Sequence, residues 1–260
     1  MHFDAGEPAG ALGRRGQYFP RDGSENAEKN GLKPHLKTQW CSPPEQNAGF
    51  VCAMEDVLDV YERPLDAAYP VVCLDEKPCQ LIRDVWQPVQ PKAGQVKRED
   101  SEYERCGTAN LFGWVEPLTG NRDVWVTDQR TSVDDAHALE RLAVADPDAT
   151  KIVRVQDNLS TQSKAALYRA FSPEKARTLA QRFEVHFTPK HGSWLNIQAL
   201  EWSALARQAL KARVGDKEAL IKVVDHWLTR RRERAVCICW PFTTGDARRK
   251  LSRLYPTLTD

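Results

Sequence analysis

Two short apolar runs that each close on a carboxylate constrain this chain more than anything else in it. Val71-Val72-Cys73-Leu74 is bounded by Pro70 and by Lys77-Pro78, and it ends in Asp75-Glu76. A run of this length and composition predicts a buried strand with its polar cargo at the C-terminal end. Lys151-Ile152-Val153-Arg154-Val155-Gln156 repeats the pattern and closes on Asp157-Asn158. If the two strands pair, Asp75 and Asp157 meet at one end of a sheet. Two such carboxylates are the least equipment that holds divalent ions over a phosphodiester. Glu76 alternates to the other face of its strand, where a salt-bridged or supporting acid is expected.

The rest of the chain alternates between strand and helix signals. Residues 1–30 are rich in Gly, Arg, Asp, Glu and Asn without hydrophobic periodicity, and are expected to be a disordered or unrelated leader. Residues 31–66 form a second stretch, a basic segment followed by a helix. That helix is expected from about Glu45, after the Ser42-Pro43-Pro44 cap, to Tyr61, with Arg63-Pro64 ending it. Residues 67–260 hold the remainder. Ala109–Val115 and Asp123–Thr127, joined through Leu118-Thr119-Gly120-Asn121, predict an antiparallel hairpin. Helices are expected over Ser132–Val144, Ser163–Phe171, Pro173–Phe183, Leu195–Arg213, Asp216–Arg232 and Gly245–Leu254, with a short strand at Val185–Phe187. Strand, hairpin, helix, strand, helix, strand, helix is the order of an α/β fold of the ribonuclease H-like kind, a mixed sheet flanked by helices.

Composition bounds the function classes. A net charge of +1 over 260 residues leaves any nucleic-acid surface to local clustering. Seven scattered cysteines fit reduced thiols, and Cys237-Ile238-Cys239 has the wrong spacing for a zinc knuckle. No apolar run reaches the roughly 18 residues of a spanning helix, so a cytoplasmic protein without a membrane partner is expected.

Several segments in sequence carry a more specific signal. LDEKP at 74–78, YERCGTANLF at 103–112, EPLTGNR at 116–122, VQDN at 155–158, FTPKHGSWLN at 187–196 and FTTGDARRKLSRLYP at 242–256 resemble, in that order, the DDE transposases of bacterial insertion sequences in the mariner superfamily. The resemblance spans about Gly31 to Pro256 and implies a ribonuclease H-like catalytic domain with Mg²⁺ or Mn²⁺ as cofactor. It also implies DNA as partner, as terminal repeats and target, and a homodimer acting on it at the bacterial nucleoid. The helix-turn-helix region with which such proteins usually begin is matched at most by its tail around Leu32 to Trp40, so an N-terminal truncation is expected.

By the same resemblance Asp75 and Asp157 are the first two catalytic acids and metal ligands. The third acid falls three positions after Asn196, where this chain has Ala199. Glu201 is the nearest acidic substitute and the candidate third catalytic residue. Two helical residues turn about 200°, so it reaches the metals only if the helix shifts or frays. Gln162 stands where the family commonly has His. Lys190, His191 and Trp194 precede this helix and are candidate DNA contacts, the Trp by stacking on a base. Arg230 and Arg231, in a run with Arg232 and Arg234, are candidate phosphate contacts, as are Arg248, Arg249, Lys250 and Arg253. Trp86, Trp114, Trp125 and Trp227 are expected in the core. Three functions compete: a transposase weakened at its third acid, a silent relic that only binds DNA or an intact transposase, and a ribonuclease H-like nuclease outside transposition.

Overall fold

Helix α1, Ala48–Tyr61, starts where the Asn47 side chain accepts from the Phe50 backbone N–H at 2.8 Å, a few residues later than the Ser-Pro-Pro signal predicts. The computed structural model describes residues 42–257 except 44, 87, 90, 91, 97, 99, 100 and 158–163. The leader, the basic segment at 32–40 and Gln162 therefore lie outside the described residues. After α1 come β1 (Val71–Asp84), β2 (Tyr103–Val115), β3 (Arg122–Thr127), α2 (Ser132–Ala145) and β4 (Ile152–Asp157). They are followed by α3 (Ala165–Ala170), α4 (Pro173–Arg182), β5 (Phe183–Thr188), a 3-10 turn at Ser193–Leu195, α5 (Gln198–Gln208), α6 (Lys217–Glu233) and α7 (Thr244–Lys250).

The five strands form one mixed sheet in the order β3-β2-β1-β4-β5, the ribonuclease H-like arrangement. β1 pairs antiparallel with β2 and β2 with β3, while β1–β4 and β4–β5 are parallel. Period-two alternation sorts the strands between two apolar layers. Val72, Leu74 and Ile152 face α2, α3 and α4 through Leu139, Leu142, Leu167 and Ala176. Cys73, Val153 and Val155 face α1 and the C-terminal segment through Met54, Leu58, Ala247 and Leu254. A third cluster packs α5 and α6 onto the hairpin through Leu111, Val124, Trp202, Leu205 and Trp227.

Three expectations need correction. β1 does not stop at the carboxylates but runs on to Asp84, with Pro78 opposite Asn110 of β2. Pro is tolerated there because, among the described residues, β1 pairs with β4 only over Val71–Cys73, so at Pro78 no strand on that side needs a donor. The predicted helix at Leu195–Arg213 is shortened to α5, because Asn196 spends its side chain on the Leu74 carbonyl and on the Gln198 backbone N–H. Trp114 and Trp227 are buried, but Trp86 is 72% exposed just past the end of β1. Trp125 is half-buried between Phe112 and the Arg141 guanidinium. Among the described residues every cysteine is a free thiol, and no helix is long and apolar enough to cross a membrane.

Candidate active site

Parallel pairing of β1 with β4 sets Cys73 against Val155, and two residues further each strand reaches its Asp. Asp75 and Asp157 thus emerge side by side on the face that carries Cys73 and Val155. Burial pushes the Asp75 carboxyl up to about 7, and the neighbouring Asp157 charge adds to the rise. No ion pair reaches either carboxylate among the described residues.

Neutral donors fix both acids. Asp157 Oδ1 accepts from the Thr188 hydroxyl at 2.8 Å and, at the long distance of 3.5 Å, from the Asn196 amide. The same amide donates to the Leu74 carbonyl at 3.0 Å, so Asn196 clips the third-acid segment to the end of β1. Asp75 Oδ2 accepts from the Trp202 indole N–H at 3.0 Å. The indole reaches it because Gly113, opposite Asp75 on β2, has no side chain. A Cβ at Gly113 would lie 2.4 Å from Trp202 Cη2 and 2.6 Å from Gln198 Nε2. Trp202 and Gly113 carry no signal that sequence reasoning could weigh, whereas Thr188 and Asn196 stood inside the FTPKHGSWLN motif without a role.

Position 199, where the resemblance expects the third acid, lies on α5. Trp202 marks the face of α5 that looks at Asp75, and Ala199 lies one turn earlier, about 60° around the axis. Ala199 is exposed. Glu201 is turned away, 2% exposed, between two guanidiniums: Arg122 Nη1 at 3.2 Å, an ion pair without hydrogen-bond alignment, and Arg231, which donates to it. α5 is already helical at Glu201, and its carboxylate is held by Arg122 and Arg231.

The other sequence-predicted contacts divide. Lys190 and His191 are exposed on the loop that follows β5 at the Asp157 end, with His191 in the left-handed region at φ 66°. Trp194 is half-buried, edge-on to Phe242 with ring centroids 6.0 Å apart. Arg231 is held by Glu201, and Arg232 binds Asp123 and the Arg122 carbonyl, while Arg230 points elsewhere on α6. Arg248 makes a two-pronged pair with Glu55 at 2.8 and 2.9 Å, and Arg253 ties down Ser42 and Pro43. That second basic cluster is spent largely inside the protein.

Two half-buried, mutually repelling hard-oxygen ligands are a donor set that a divalent ion satisfies. Among the described residues no group of three or more His, Cys, Asp or Glu side chains is placed to hold one.

The chain matches the family model described as DDE superfamily endonuclease over residues 70–221, more than half of its length. Among solved structures it is similar to the mariner Mos1 paired end complex with Mg, with TM-score 0.52 and 15% identity, covering 91% of this chain and 72% of that one. It is also similar to the Mos1 mariner paired end complex with Mn, with TM-score 0.51 and 15% identity over 89% and 78% of the two chains. A pre-cleavage Mos1 transpososome gives TM-score 0.51 and 14% identity, covering 91% and 71%. No curated protein matches the chain. With the two acids on neighbouring strands of a ribonuclease H-like sheet and the family model spanning both, the chain belongs to the DDE superfamily of endonucleases.

Proposed function

We propose that this is the catalytic domain of a DNA transposase of the bacterial insertion-sequence type, with its strand-cleaving activity greatly weakened by Ala199. The side-by-side Asp75 and Asp157 support the reading. In it these two carboxylates hold Mg²⁺ or Mn²⁺, which when bound supplies a Lewis acid that activates the attacking oxygen and neutralises charge on the phosphate. Thr188 and Asn196 orient Asp157, and Trp202 orients Asp75. Lys190 and His191 lie at the same end of the sheet and are assigned to phosphate contacts. Trp194, packed on Phe242, serves the core rather than a flipped base. Glu201 is assigned to the Arg122–Arg231 ion pair and not to the metal. The similar solved structures are a paired-end complex and a pre-cleavage transpososome, and by that likeness the partners are DNA element ends and target, bound by two copies of the chain.

The missing third carboxylate gives a second reading its support: a silent relic that binds DNA without cutting. Losing one charge-stabilising element costs on the order of 10²–10³ in rate. The test is Mg²⁺- or Mn²⁺-dependent nicking of DNA carrying the flanking terminal repeats, by the chain as it stands, by Ala199→Glu and by Glu201→Ala. Ala199→Glu is expected to raise cleavage by about 10²-fold or more, since it restores a carboxylate on the face next to Trp202. Strong cleavage by the unmodified chain that disappears in Glu201→Ala would refute the assignment of Glu201. If all three proteins stay inactive, the relic reading stands.

A further inference from the structure

The first residue of α5 buries a polar group without satisfying it. Gln198 is 1% exposed, and its Oε1 has no hydrogen-bond partner among the described residues. An amide oxygen taken out of water without a donor is unfavourable, so it calls for a donor or a cation. Its surroundings place it beside the first acid. A Cβ at Gly113 would lie 2.6 Å from Gln198 Nε2 and 2.4 Å from Trp202 Cη2, so the carboxamide and the indole lie together over Gly113. Gly113 is the cross-strand partner of Asp75, and such partners present their side chains on one face with Cβ positions about 5 Å apart. Helical phase agrees. Four residues turn about 400°, so Gln198 lies about 40° from Trp202, whose indole donates to Asp75 Oδ2 at 3.0 Å, while Ala199 lies about 60° to the other side. Of the side chains in this turn, Ala199, Leu200 and Trp202 offer no oxygen and Glu201 is held by Arg122 and Arg231, which leaves Gln198.

We propose that Gln198 is a ligand of the divalent ion at Asp75, its amide oxygen standing in for the acid that position 199 lacks. The inference rests on the reading that Asp75 and Asp157 hold such an ion. A half-turn of the carboxamide exchanges Oε1 and Nε2, and the preferences of that last torsion are broad, so the oxygen turns toward Asp75 without any movement of α5. Carbonyl oxygens are hard donors of the kind that suits Mg²⁺, Mn²⁺ and Ca²⁺. The amide adds no negative charge, so Gln198 holds the ion more weakly than a carboxylate does.

Mn²⁺ alone, titrated into the full chain and followed by the electron paramagnetic resonance signal of the free ion, tests the assignment. Four proteins are compared: the chain as it stands, Gln198→Met, Gln198→Glu and Asp75→Asn. Met keeps a flexible side chain of similar length beside the indole but offers only a thioether, a poor partner for a hard ion. Glu keeps the oxygen and adds a charge. Gln198→Met is expected to weaken Mn²⁺ binding about tenfold or more, and Gln198→Glu to strengthen it about tenfold or more, with thermal melts in the absence of metal verifying that each protein folds. Opposite shifts distinguish a ligand from a spacer. A residue that only packs α5 against Gly113 moves both variants in the same direction or neither, and that result overturns the inference. So does Asp75→Asn binding Mn²⁺ as tightly as the parent, which removes the ion from the carboxylates altogether. Failure of Ala199→Glu to cleave DNA, with the opposite shifts at position 198 intact, overturns the reading of a weakened transposase and leaves Gln198 a metal ligand.

Discussion

Position 201 shows how helical phase decides what a carboxylate does. Glu201 lies one residue from Trp202, which serves Asp75, yet it points into a buried pair with Arg122 of β3 and Arg231 of α6. Replacing it with Gln leaves two guanidiniums facing each other without an anion. Breaking a buried pair from one side typically costs about 3–5 kcal/mol. Urea unfolding of Glu201→Gln is expected to show a loss of that order, whereas Ala199→Glu, at an exposed position, should stay within about 0.5 kcal/mol of the parent. The 200° argument was available from the sequence; the partners were not, because Arg122 sits 79 positions away in a hairpin turn segment that read only as a motif.

Asp135 gives a second residue-scale prediction. It lies in the first turn of α2, 1% exposed, near Arg154 and Glu76 on the face opposite the site. Burial pushes its carboxyl up to about 6; Arg154 opposes the rise and Glu76 adds to it. Because the folded value lies above the unfolded one, the folded state binds the extra proton, and stability grows as pH falls through about 6 and is complete below about 4. Between pH 7 and pH 5 the contribution is about 1 kcal/mol. Asp135→Asn should therefore flatten the pH dependence of the unfolding free energy by about that amount over this interval. An identical slope in both proteins would show that Asp135 does not titrate there.

At the scale of elements, the strands and helices were legible wherever periodicity was strong, and their ends were not. The two Asp-terminated runs, the hairpin and the order of elements followed from local pattern, since β-branched runs and turn residues act within a few positions. The overrun of β1 past Pro78 was invisible because it depends on which neighbour the strand lacks, a property of the sheet rather than of the residue. The docking of α5 was equally hidden. It depends on Gly113 being bare beneath Trp202 and Gln198. Gly113→Ala places a methyl 2.4 Å from the indole, so α5 must lift or Trp202 must leave Asp75. Overpacking of this kind costs about 1–3 kcal/mol. The expected outcome is a loss of stability in that range together with a shift in tryptophan emission; a variant as stable as the parent with unchanged emission would mean that α5 adjusts without strain.

Over the whole molecule, the beginning and end of the described chain close on each other. The Asn47 backbone N–H donates to the Leu254 carbonyl at 3.0 Å, Gln46 pairs with Thr257, and Thr244 hydrogen-bonds Asp59 and Glu62 of the α1 end. Ala247 and Leu254 are fully buried against α1, with Trp240, Phe242 and Leu251 packed around them. The layer that covers Cys73, Val153 and Val155, directly behind the two Asp residues, is therefore completed by the last segment of the chain. Fully burying one large apolar side chain contributes about 1.5–3 kcal/mol, and a domain's net stability is about 5–15 kcal/mol. Deleting residues 241–260 removes several such side chains and uncovers α1, so the truncated chain is expected to lose its cooperative transition in urea. Deleting residues 1–30, which lack hydrophobic periodicity, should leave the midpoint nearly unchanged. The pair of truncations discriminates: if the N-terminal deletion proves the more damaging, the support of the active-site strands comes from the leader and not from the C-terminal closure.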